Sequence, residues 1–301
     1  MSPERSPSQF LCGLCGSVVI IPFSIVRALQ NKIAVVVLLP LLFACSRTAA
    51  QQPAVKPVAL IGITREIAPV EARLKPSSVT EIQGVVFTSG AIDGVPVVTA
   101  RSGAGKVNAA FAATLLVDHF SPSALIFTGT AGAVDSELNP ADVLIGAGAG
   151  YHDFGDITAD GFVRSQTRNA ASGKLDPSFF PADPGLLAAA RRAAATVKPS
   201  AGPAAATPRI KEGLIVTGDA FLANPSRRQD IRRELNASAV EMEGAAVAQV
   251  GARFGIPTII IRSITDHADG GASDSYTRFV DVAARNAAEL SIAIVRELHR
   301  Q

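Results

Sequence analysis

Apolar runs the length of a β-strand alternate along this chain with longer segments of helical periodicity. From residue 57 onward these stretches are 57–63, 85–90, 95–103, 107–120, 124–130, 142–152, 186–197, 213–218, 246–255 and 257–264, with a closing helix to Arg300. Strands that are buried on both faces read as continuous Val, Ile and Leu runs. The pattern therefore predicts an α/β domain built on a mainly parallel or mixed sheet.

The segment 107–120 predicts a helix that packs on the core. Its broad apolar face consists of Ala109, Ala112, Leu115, Leu116 and Phe120. Further along, prolines at 199, 203 and 208 break a helix that ends near Val197, and they predict a loop before a strand at Gly213. We find no internal repeat, and residues 57–301 form one predicted domain.

Composition limits the functional classes. The chain has 301 residues and 48% hydrophobic content, which is enough for one or two domains and too little for three. The formal net charge is only +2, and no Lys/Arg cluster is interleaved with aromatic residues. A nucleic-acid partner is therefore not expected.

The N-terminal region has the layout of an export signal. An apolar run at 33–43 follows Arg27 and Lys32, and it is too short to span a bilayer comfortably. The run ends in Leu-Phe-Ala-Cys, which resembles a bacterial lipobox whose cysteine, Cys45, becomes the lipid-modified first residue.

This layout divides the chain into a signal region at 1–45, a small polar linker at 46–56 and the domain at 57–301. It predicts an exported lipoprotein of the periplasm or cell envelope, held to the membrane at its N-terminus. The alternatives are an ordinary signal peptide and an uncleaved signal anchor, which would make a membrane protein.

Glycine-rich turns follow several of the apolar runs, at 102–106, 129–133 and 217–219. In open α/β sheets such turns lie at strand ends, where the backbone can approach a ligand closely. They indicate a pocket, although tight structural turns would leave the same pattern. Neither the dinucleotide-binding nor the phosphate-loop glycine motif is present.

Acidic residues interrupt two apolar segments. Glu241 and Glu243 lie in AVEMEGAA, and Asp266 follows a buried strand, where low-dielectric surroundings raise the pKa of a carboxyl group. Asp266 is the candidate catalytic acid. An ion pair of Asp266 or Asp269 with Arg262 is the structural alternative.

Six collinear motifs carry a family resemblance. They are RSGAGKVNAA, TGTAGA, YHD, GLIVTGDAF, AVEMEGAAVAQV and IRSITDHADG. In this order they resemble the 5′-methylthioadenosine/S-adenosylhomocysteine nucleosidases of the nucleoside phosphorylase superfamily, from about residue 58 to the C-terminus. The resemblance implies a three-layer α/β/α fold with a twisted mixed central sheet, a homodimer, and hydrolysis of the N-glycosidic bond of adenine nucleosides.

By this resemblance Asp266 protonates N7 of adenine while Glu66, in GITREIAP, deprotonates the attacking water. Asp266 must then stay protonated near neutral pH, against an ordinary pKa of about 3.9. For Glu66 the alternative is a solvent-exposed carboxylate at a helix N-terminus.

The resemblance also assigns a substrate-binding set. Glu243 accepts hydrogen bonds from the ribose 2′- and 3′-hydroxyls, since a carboxylate is a bidentate acceptor for a vicinal diol. Phe221 stacks on adenine, although a phenylalanine in an apolar segment is by default a core residue. The other members are Glu241, Met242, Leu222, whose backbone reads the base edge, Thr130 and Thr265.

Two other functions stay open. Related phosphorylases carry a phosphate-binding arginine at the position of Phe127, and an apolar ring cannot replace a guanidinium, which favours hydrolysis over phosphorolysis. A non-catalytic nucleoside-binding lipoprotein is the other alternative. The resemblance implies no cofactor, and His152, Asp153, His267 and Asp269 have no compact metal-ligand spacing, so no metal is expected.

The 5′ substituent of the nucleoside is not fixed by the sequence. In the family a partner subunit supplies an aromatic residue to the 5′ pocket, and the matching position here is Asp160, with Phe162 two residues on. This difference predicts a more polar 5′ pocket.

Overall fold

The computed structural model describes residues 55–203 and 206–300. The helices of this part are α1 (Thr64–Glu71), α2 (Lys106–Phe120), α3 (Pro184–Ala194), α4 (Pro225–Leu235), α5 (Gly244–Phe254) and α6 (Ala272–His299). Its strands are β1 (Val58–Ile63), β2 (Ser77–Ile82), β3 (Val85–Ile92), β4 (Val95–Ser102), β5 (Ala124–Ala133), β6 (Val143–Tyr151), β7 (Gly155–Thr158), β8 (Gly161–Arg164), β9 (Phe180–Pro181), β10 (Ile210–Thr217), β11 (Ala239–Glu241) and β12 (Thr258–Asp266).

Ten of these strands form one mixed sheet in the order β11-β10-β6-β12-β5-β1-β4-β3-β2, with β9 beside β6. The stretch β12-β5-β1-β4 is parallel, whereas β6 runs antiparallel to β12 and the meander β4-β3-β2 is antiparallel. The predicted mixed α/β sheet is confirmed.

The sheet closes on itself at one end. Strand β11 pairs in parallel with β10 and antiparallel with β5, so β5, β12, β6, β10 and β11 form a ring of hydrogen-bonded strands. Because β11 joins β5 at Ala133 and Gly132, its own end at Glu241 is drawn toward the ends of β5 and β12. The closure therefore gathers the ends of several strands at one place.

Side chains of one strand alternate between two cores. In β1, Ala59 and Ile61 join the cluster that includes residues of α2 and α5, while Val58 and Leu60 join the cluster with α1, α3 and α6. Successive side chains of a strand point to opposite faces, so helices cover both faces of the sheet. The predicted three-layer α/β/α arrangement is confirmed.

Several predicted boundaries shift. Helix α2 begins at Lys106, and its buried face includes Ala113 and Val117, while Leu115 and Phe120 are only partly buried. The face rotates because α2 packs against α5 as well as against the sheet. The helix predicted to end near Val197 ends at Ala194, and β10 begins at Ile210 rather than at Gly213.

The predicted signal region 1–45, with Cys45, lies outside the described residues, as does most of the linker 46–56. Within 55–203 and 206–300, no helix combines the length and apolar character needed to cross a membrane.

Candidate active site

A cavity of about 380 Å³ opens where the sheet closes, beside the ends of β1, β5, β11 and β12. It is lined by Ile63, Glu66, Ala104, Thr130, Ala131, Gly132, Phe221, Val240, Glu241, Met242, Glu243, Thr265, Asp266, Ser273 and Tyr276. All the substrate-binding and catalytic residues predicted from the sequence line it except Leu222. Residues as distant in the sequence as Ile63 and Tyr276 thus meet in one cleft.

Glu66 lies in the first turn of α1, directly after β1, and is only 6% exposed. Its Oε1 accepts hydrogen bonds from the Thr130 hydroxyl at 2.5 Å and from the Thr130 N–H at 3.1 Å. Burial raises the pKa of Glu66, although the nearby Arg262 and the Thr130 bonds oppose the shift. The alternative of a solvent-exposed helix-cap carboxylate is wrong, because the turn faces the sheet.

Asp266 is the last residue of β12 and is 2% exposed. The register of β12 against β5 shifts between Ile264 and Asp266, and such an irregularity turns a side chain away from the regular pleat. One carboxylate oxygen accepts the Ala268 N–H at 2.8 Å, and the other lies 2.7 Å from the Thr265 hydroxyl. Burial raises the pKa of Asp266 against these two bonds.

Arg262, in the middle of β12, is buried beneath the cavity and donates to the carboxylate of Glu241. Its guanidinium carbon lies 4.0 Å from the centre of the Phe127 ring, a cation–π contact. Arg262 therefore pairs with the carboxylate of β11, and the alternative of an ion pair with Asp266 or Asp269 is wrong. Strand pairing decides this, because β11 and β12 both flank β5.

Glu241 is saturated by the protein itself. Besides Arg262, its carboxylate accepts the Thr217 hydroxyl and the N–H groups of Glu243, at 3.1 Å, and Gly244, at 2.7 Å. These bonds fix the turn that leads from β11 into α5. Glu241 lines the cavity, but the structure gives its oxygens protein partners.

Glu243 precedes α5 and is 4% exposed. Its Oε1 accepts the N–H of Gly105 at 2.7 Å, and its Oε2 lies 3.9 Å from the Arg262 guanidinium. Gly105 has φ +89°, a conformation that favours glycine and brings this N–H to the carboxylate. Burial and the neighbouring Glu241 raise the pKa of Glu243 to about 7.

Two aromatic rings flank the cavity. Phe221, in the loop after β10, is 50% exposed and meets Tyr276 of α6 edge-on, with ring centres 5.9 Å apart. Phe221 is therefore not a core residue. The side chain of Leu222 instead packs against a separate apolar cluster with Val216 and Ile231, away from the cavity lining.

The remaining candidate positions lie elsewhere. Lys106 binds both carboxylate oxygens of Asp153 at 2.8 Å, and His152 is buried with both ring nitrogens lacking partners in the described part of the chain. That part holds no group of three or more metal-ligating side chains. Asp160 and Phe162 belong to the exposed β7–β8 hairpin and do not line the cavity.

The cavity residues Ile63, Val240, Ser273 and Tyr276 were not predicted from the sequence, whereas Ala104, Ala131 and Gly132 lie in glycine-rich turns that indicated a pocket. Ser273 and Tyr276 lie three positions apart on α6, and their spacing on a polar helical segment carries no signal that distinguishes a cavity wall from a solvated face. Arg262 was recognised only as an ion-pair partner. A charge within an apolar strand was the available signal for Arg262, and nothing in the sequence indicates Glu241 as its partner.

The cavity is lined by acidic but not by basic side chains. It contains four carboxyl groups, those of Glu66, Glu241, Glu243 and Asp266, and no lysine or arginine. Two of them, Glu66 and Asp266, keep oxygen atoms free of charged partners and have raised pKa values. The arrangement can supply a proton on one side of a bound molecule and accept one on the other.

Comparison with known proteins gives a consistent result. The family model described as "Phosphorylase superfamily" matches residues 58–300. The 5′-methylthioadenosine/S-adenosylhomocysteine nucleosidase of Geobacillus kaustophilus is 38% identical over 239 residues, covering 79% of this chain and 95% of that protein.

Solved structures resemble the fold. The corresponding nucleosidase of Neisseria meningitidis, in complex with methylthio-immucillin-A, has a TM-score of 0.70 and 34% identity, over 80% of this chain and 99% of that one. A futalosine hydrolase of Helicobacter pylori has a TM-score of 0.69 and 28% identity, over 81% and 98% of the two chains.

Proposed function

Because this chain belongs to the phosphorylase superfamily, and within it to the 5′-methylthioadenosine/S-adenosylhomocysteine nucleosidases, we propose that it is a nucleoside N-glycosyl hydrolase. It cleaves the bond between C1′ of the sugar and N9 of adenine in nucleosides such as 5′-methylthioadenosine and S-adenosylhomocysteine. The products are adenine and the free thioribose.

Asp266 acts as the general acid at the base. As the C1′–N9 bond breaks, its electron pair moves into the purine, and a proton from Asp266 to N7 neutralises the developing charge. The raised pKa of Asp266, which follows from its burial, supports a carboxylic acid that is still protonated when substrate arrives. The Thr265 hydroxyl and the Ala268 N–H hold the carboxyl group in place.

Glu66 acts as the general base. It takes a proton from water as the water oxygen bonds to C1′, which carries oxocarbenium character. Thr130 donates twice to Oε1 of Glu66, so Oε2 is the oxygen available to the water. The positive charge of Arg262 opposes the rise in the pKa of Glu66 and favours the ionised form that a base needs.

Other residues of the cavity lining contact the sugar and the base. Glu243, anchored by Gly105, faces the 2′- and 3′-hydroxyls, with Met242 beside the sugar. Phe221 stacks on the purine. Glu241 positions Glu243, because its carboxylate accepts a hydrogen bond from the Glu243 N–H.

The observation that carries hydrolysis over phosphorolysis is the absence of lysine and arginine from the cavity lining, which holds four carboxyl groups. A phosphate dianion entering this lining would meet negative charge without a guanidinium or ammonium partner. Phe127, at the position of the phosphorylase arginine, is buried and packs under Arg262. Neutral water is the nucleophile that this cavity accepts.

The test is adenine release from 5′-methylthioadenosine by the purified protein, with and without inorganic phosphate. Hydrolysis predicts free methylthioribose at a rate independent of phosphate. A sugar 1-phosphate that forms only with phosphate would overturn hydrolysis in favour of phosphorolysis. Binding without adenine release from any purine nucleoside would overturn both reactions.

We also propose that the protein is a homodimer. Large apolar side chains are exposed on the β7–β8 hairpin and on α2 and α5; they are Phe154, Ile157, Phe162, Val163, Val107, Phe111 and Phe254. Val107 and Phe254 line one shallow groove with Tyr151, whose ring is 6.5 Å from that of Phe154. Several large exposed apolar side chains on these elements support a protein interface. Light scattering after gel filtration measures the mass, and a monomer at micromolar concentration would contradict the proposal.

Finally, we propose that the chain is exported and held at the cell envelope through a lipid on Cys45. The support is the sequence around residues 33–45. Fractionation of cells that express the full chain, with Cys45→Ser as the control, tests it. The wild-type chain is expected in the membrane fraction and the variant is not; a cytosolic, unlipidated wild type would refute the proposal.

A further inference from the structure

The first turns of α6 bring two hydroxyl groups to the cavity. Ser273 and Tyr276, three positions apart on the same helix face, both line it. The Tyr276 ring is held edge-on by Phe221 at 79°. The phenol ring therefore contacts a second aromatic side chain of the cavity lining.

The Tyr276 hydroxyl makes no hydrogen bond to any other residue of 55–203 and 206–300. Burial raises the pKa of this phenol, the carboxyl groups of Glu66, Asp266 and Glu243 raise it further, and the positive charge of Arg65 opposes the rise. The phenol therefore stays neutral and lies near the catalytic carboxyl groups. A half-buried O–H with no protein partner gains most from a ligand that offers an acceptor.

The part of the ligand that reaches this wall follows from the proposed function, on which this step rests. Asp266 faces the purine, Glu66 faces C1′, and Glu243 faces the 2′- and 3′-hydroxyls. Seven lining residues have no assigned contact, and three of them, Ala131, Gly132 and Val240, lie on β5 and β11 next to Asp266 or Glu241. The other four, Ile63, Ala104, Ser273 and Tyr276, are left for C4′ and its 5′ substituent. Two of these four side chains carry a hydroxyl, so the 5′ end of the cavity is partly polar.

We infer that Tyr276 determines specificity at the 5′ position by donating a hydrogen bond to a 5′-oxygen, so that 5′-hydroxylated purine nucleosides such as adenosine are substrates alongside 5′-thioethers. A thioether sulfur is a weak acceptor, and the 5′-hydroxyl of adenosine is a strong one. A site that offers a hydrogen bond to a substrate hydroxyl discriminates against analogues that lack it.

The experiment compares kcat/KM for adenosine, 5′-deoxyadenosine and 5′-methylthioadenosine in the wild type and in Tyr276→Phe. Removing the hydroxyl is expected to lower the adenosine to 5′-methylthioadenosine ratio by about tenfold. The ratio for 5′-deoxyadenosine to 5′-methylthioadenosine should stay unchanged, because neither substrate has a 5′-oxygen. A ratio of rates cancels any common loss from altered folding.

Tyr151→Phe is the matched control. Tyr151 is the other tyrosine of the chain, and its hydroxyl donates to Gln249 at 2.7 Å outside the cavity lining. Its removal should leave all three ratios unchanged. If the adenosine ratio is unchanged in Tyr276→Phe while all substrates release adenine, the inference fails and the proposed function stands; if no substrate releases adenine, the proposed function itself fails.

Discussion

The guanidinium of Arg262 donates to the carboxylate of Glu241 beneath the cavity, and the two side chains are only 1% and 2% exposed. The pair joins the middle of β12 to the end of β11. Through Glu241 it also holds the N–H groups of Glu243 and Gly244, so the position of Glu243 depends on a charge that does not itself line the cavity.

We expect Arg262→Met to destabilise the fold by about 3–5 kcal/mol, because it leaves the Glu241 carboxylate buried without its cation. Arg262→Met/Glu241→Gln should cost less than the sum of the two single changes, since the double variant removes both charges. Urea unfolding of the four proteins measures the coupling. Strictly additive free energies of unfolding would mean that the ion pair does not contribute as a unit.

Asp266→Asn should lower kcat by about 10²–10⁴-fold, because general acid catalysis contributes a factor of that size. The amide nearly preserves the shape of the carboxyl group, and it still accepts the Ala268 N–H that now binds Asp266. Affinity for a non-hydrolysable nucleoside should therefore change little, as isothermal titration would show. Near-normal turnover by the variant would remove Asp266 from the proton transfer.

The pH profile of kcat/KM should be bell-shaped. Activity falls on the acid side as Glu66 gains a proton and loses its function as a base. It falls on the alkaline side as Asp266 loses the proton that it must donate. Burial raises both pKa values, so both limbs lie at higher pH than free carboxyl groups would place them. Rates from about pH 4 to about pH 9 test this, and a flat profile would argue against both roles.

The inner strands could be predicted from the sequence and the exposed elements could not, because only buried strands leave an apolar pattern. In β1 the residues Val58, Ala59, Leu60 and Ile61 are all buried, so the strand reads as a continuous apolar run. In contrast, β2 is exposed along nearly its whole length, and only Ile231 is buried in α4. Such elements are held by their neighbours and leave no apolar period for a sequence to show.

Site residues divide in the same way. Asp266 and Glu243 could be singled out because each interrupts apolar sequence at a strand or helix end. The partner of Arg262 could not be identified from the sequence, because the ion pair depends on β11 and β12 flanking the same strand, which is a long-range pairing. Nothing in the sequence indicates that Tyr276 lines the cavity while the Leu222 side chain packs against a separate apolar cluster. Only the three-dimensional packing distinguishes these two locations.

Gly129→Ala should impair activity more than folding. A Cβ at this position would lie 2.5 Å from the Arg262 Nη1 and closer still to the Glu66 Oε2. The far end of the Glu66 side chain can move aside at low cost to the fold, but the movement takes the carboxylate away from the water that it activates. We expect kcat/KM to fall by at least about tenfold.

Gly270→Ala is the control for this substitution, because a Cβ there meets nothing within 4 Å. Its activity and melting temperature should match those of the wild type. If Gly129→Ala retains full activity, the close packing of Glu66 on this glycine is not required for catalysis.

Glu243→Gln should stabilise the ligand-free protein at alkaline pH while abolishing most of its activity. The pKa of Glu243 is raised to about 7 in the folded state, above its value in the unfolded chain. Between these two values the folded state binds the proton more tightly, so its stability falls as the pH rises from about 4 to about 7 and stays low above that. Glutamine does not titrate, so the stability of the variant does not fall in this way as the pH rises.

The gain in the free energy of unfolding over the wild type should therefore grow from about pH 4 to about pH 8, toward about 1–3 kcal/mol. Glu81→Gln, on the exposed strand β2, provides a control in which no such growth is expected. Denaturant unfolding at several pH values without ligand makes the comparison. A gain that is the same at every pH would show that the ionisation of Glu243 does not oppose folding, and that this carboxylate is not held in the cavity at a cost in stability.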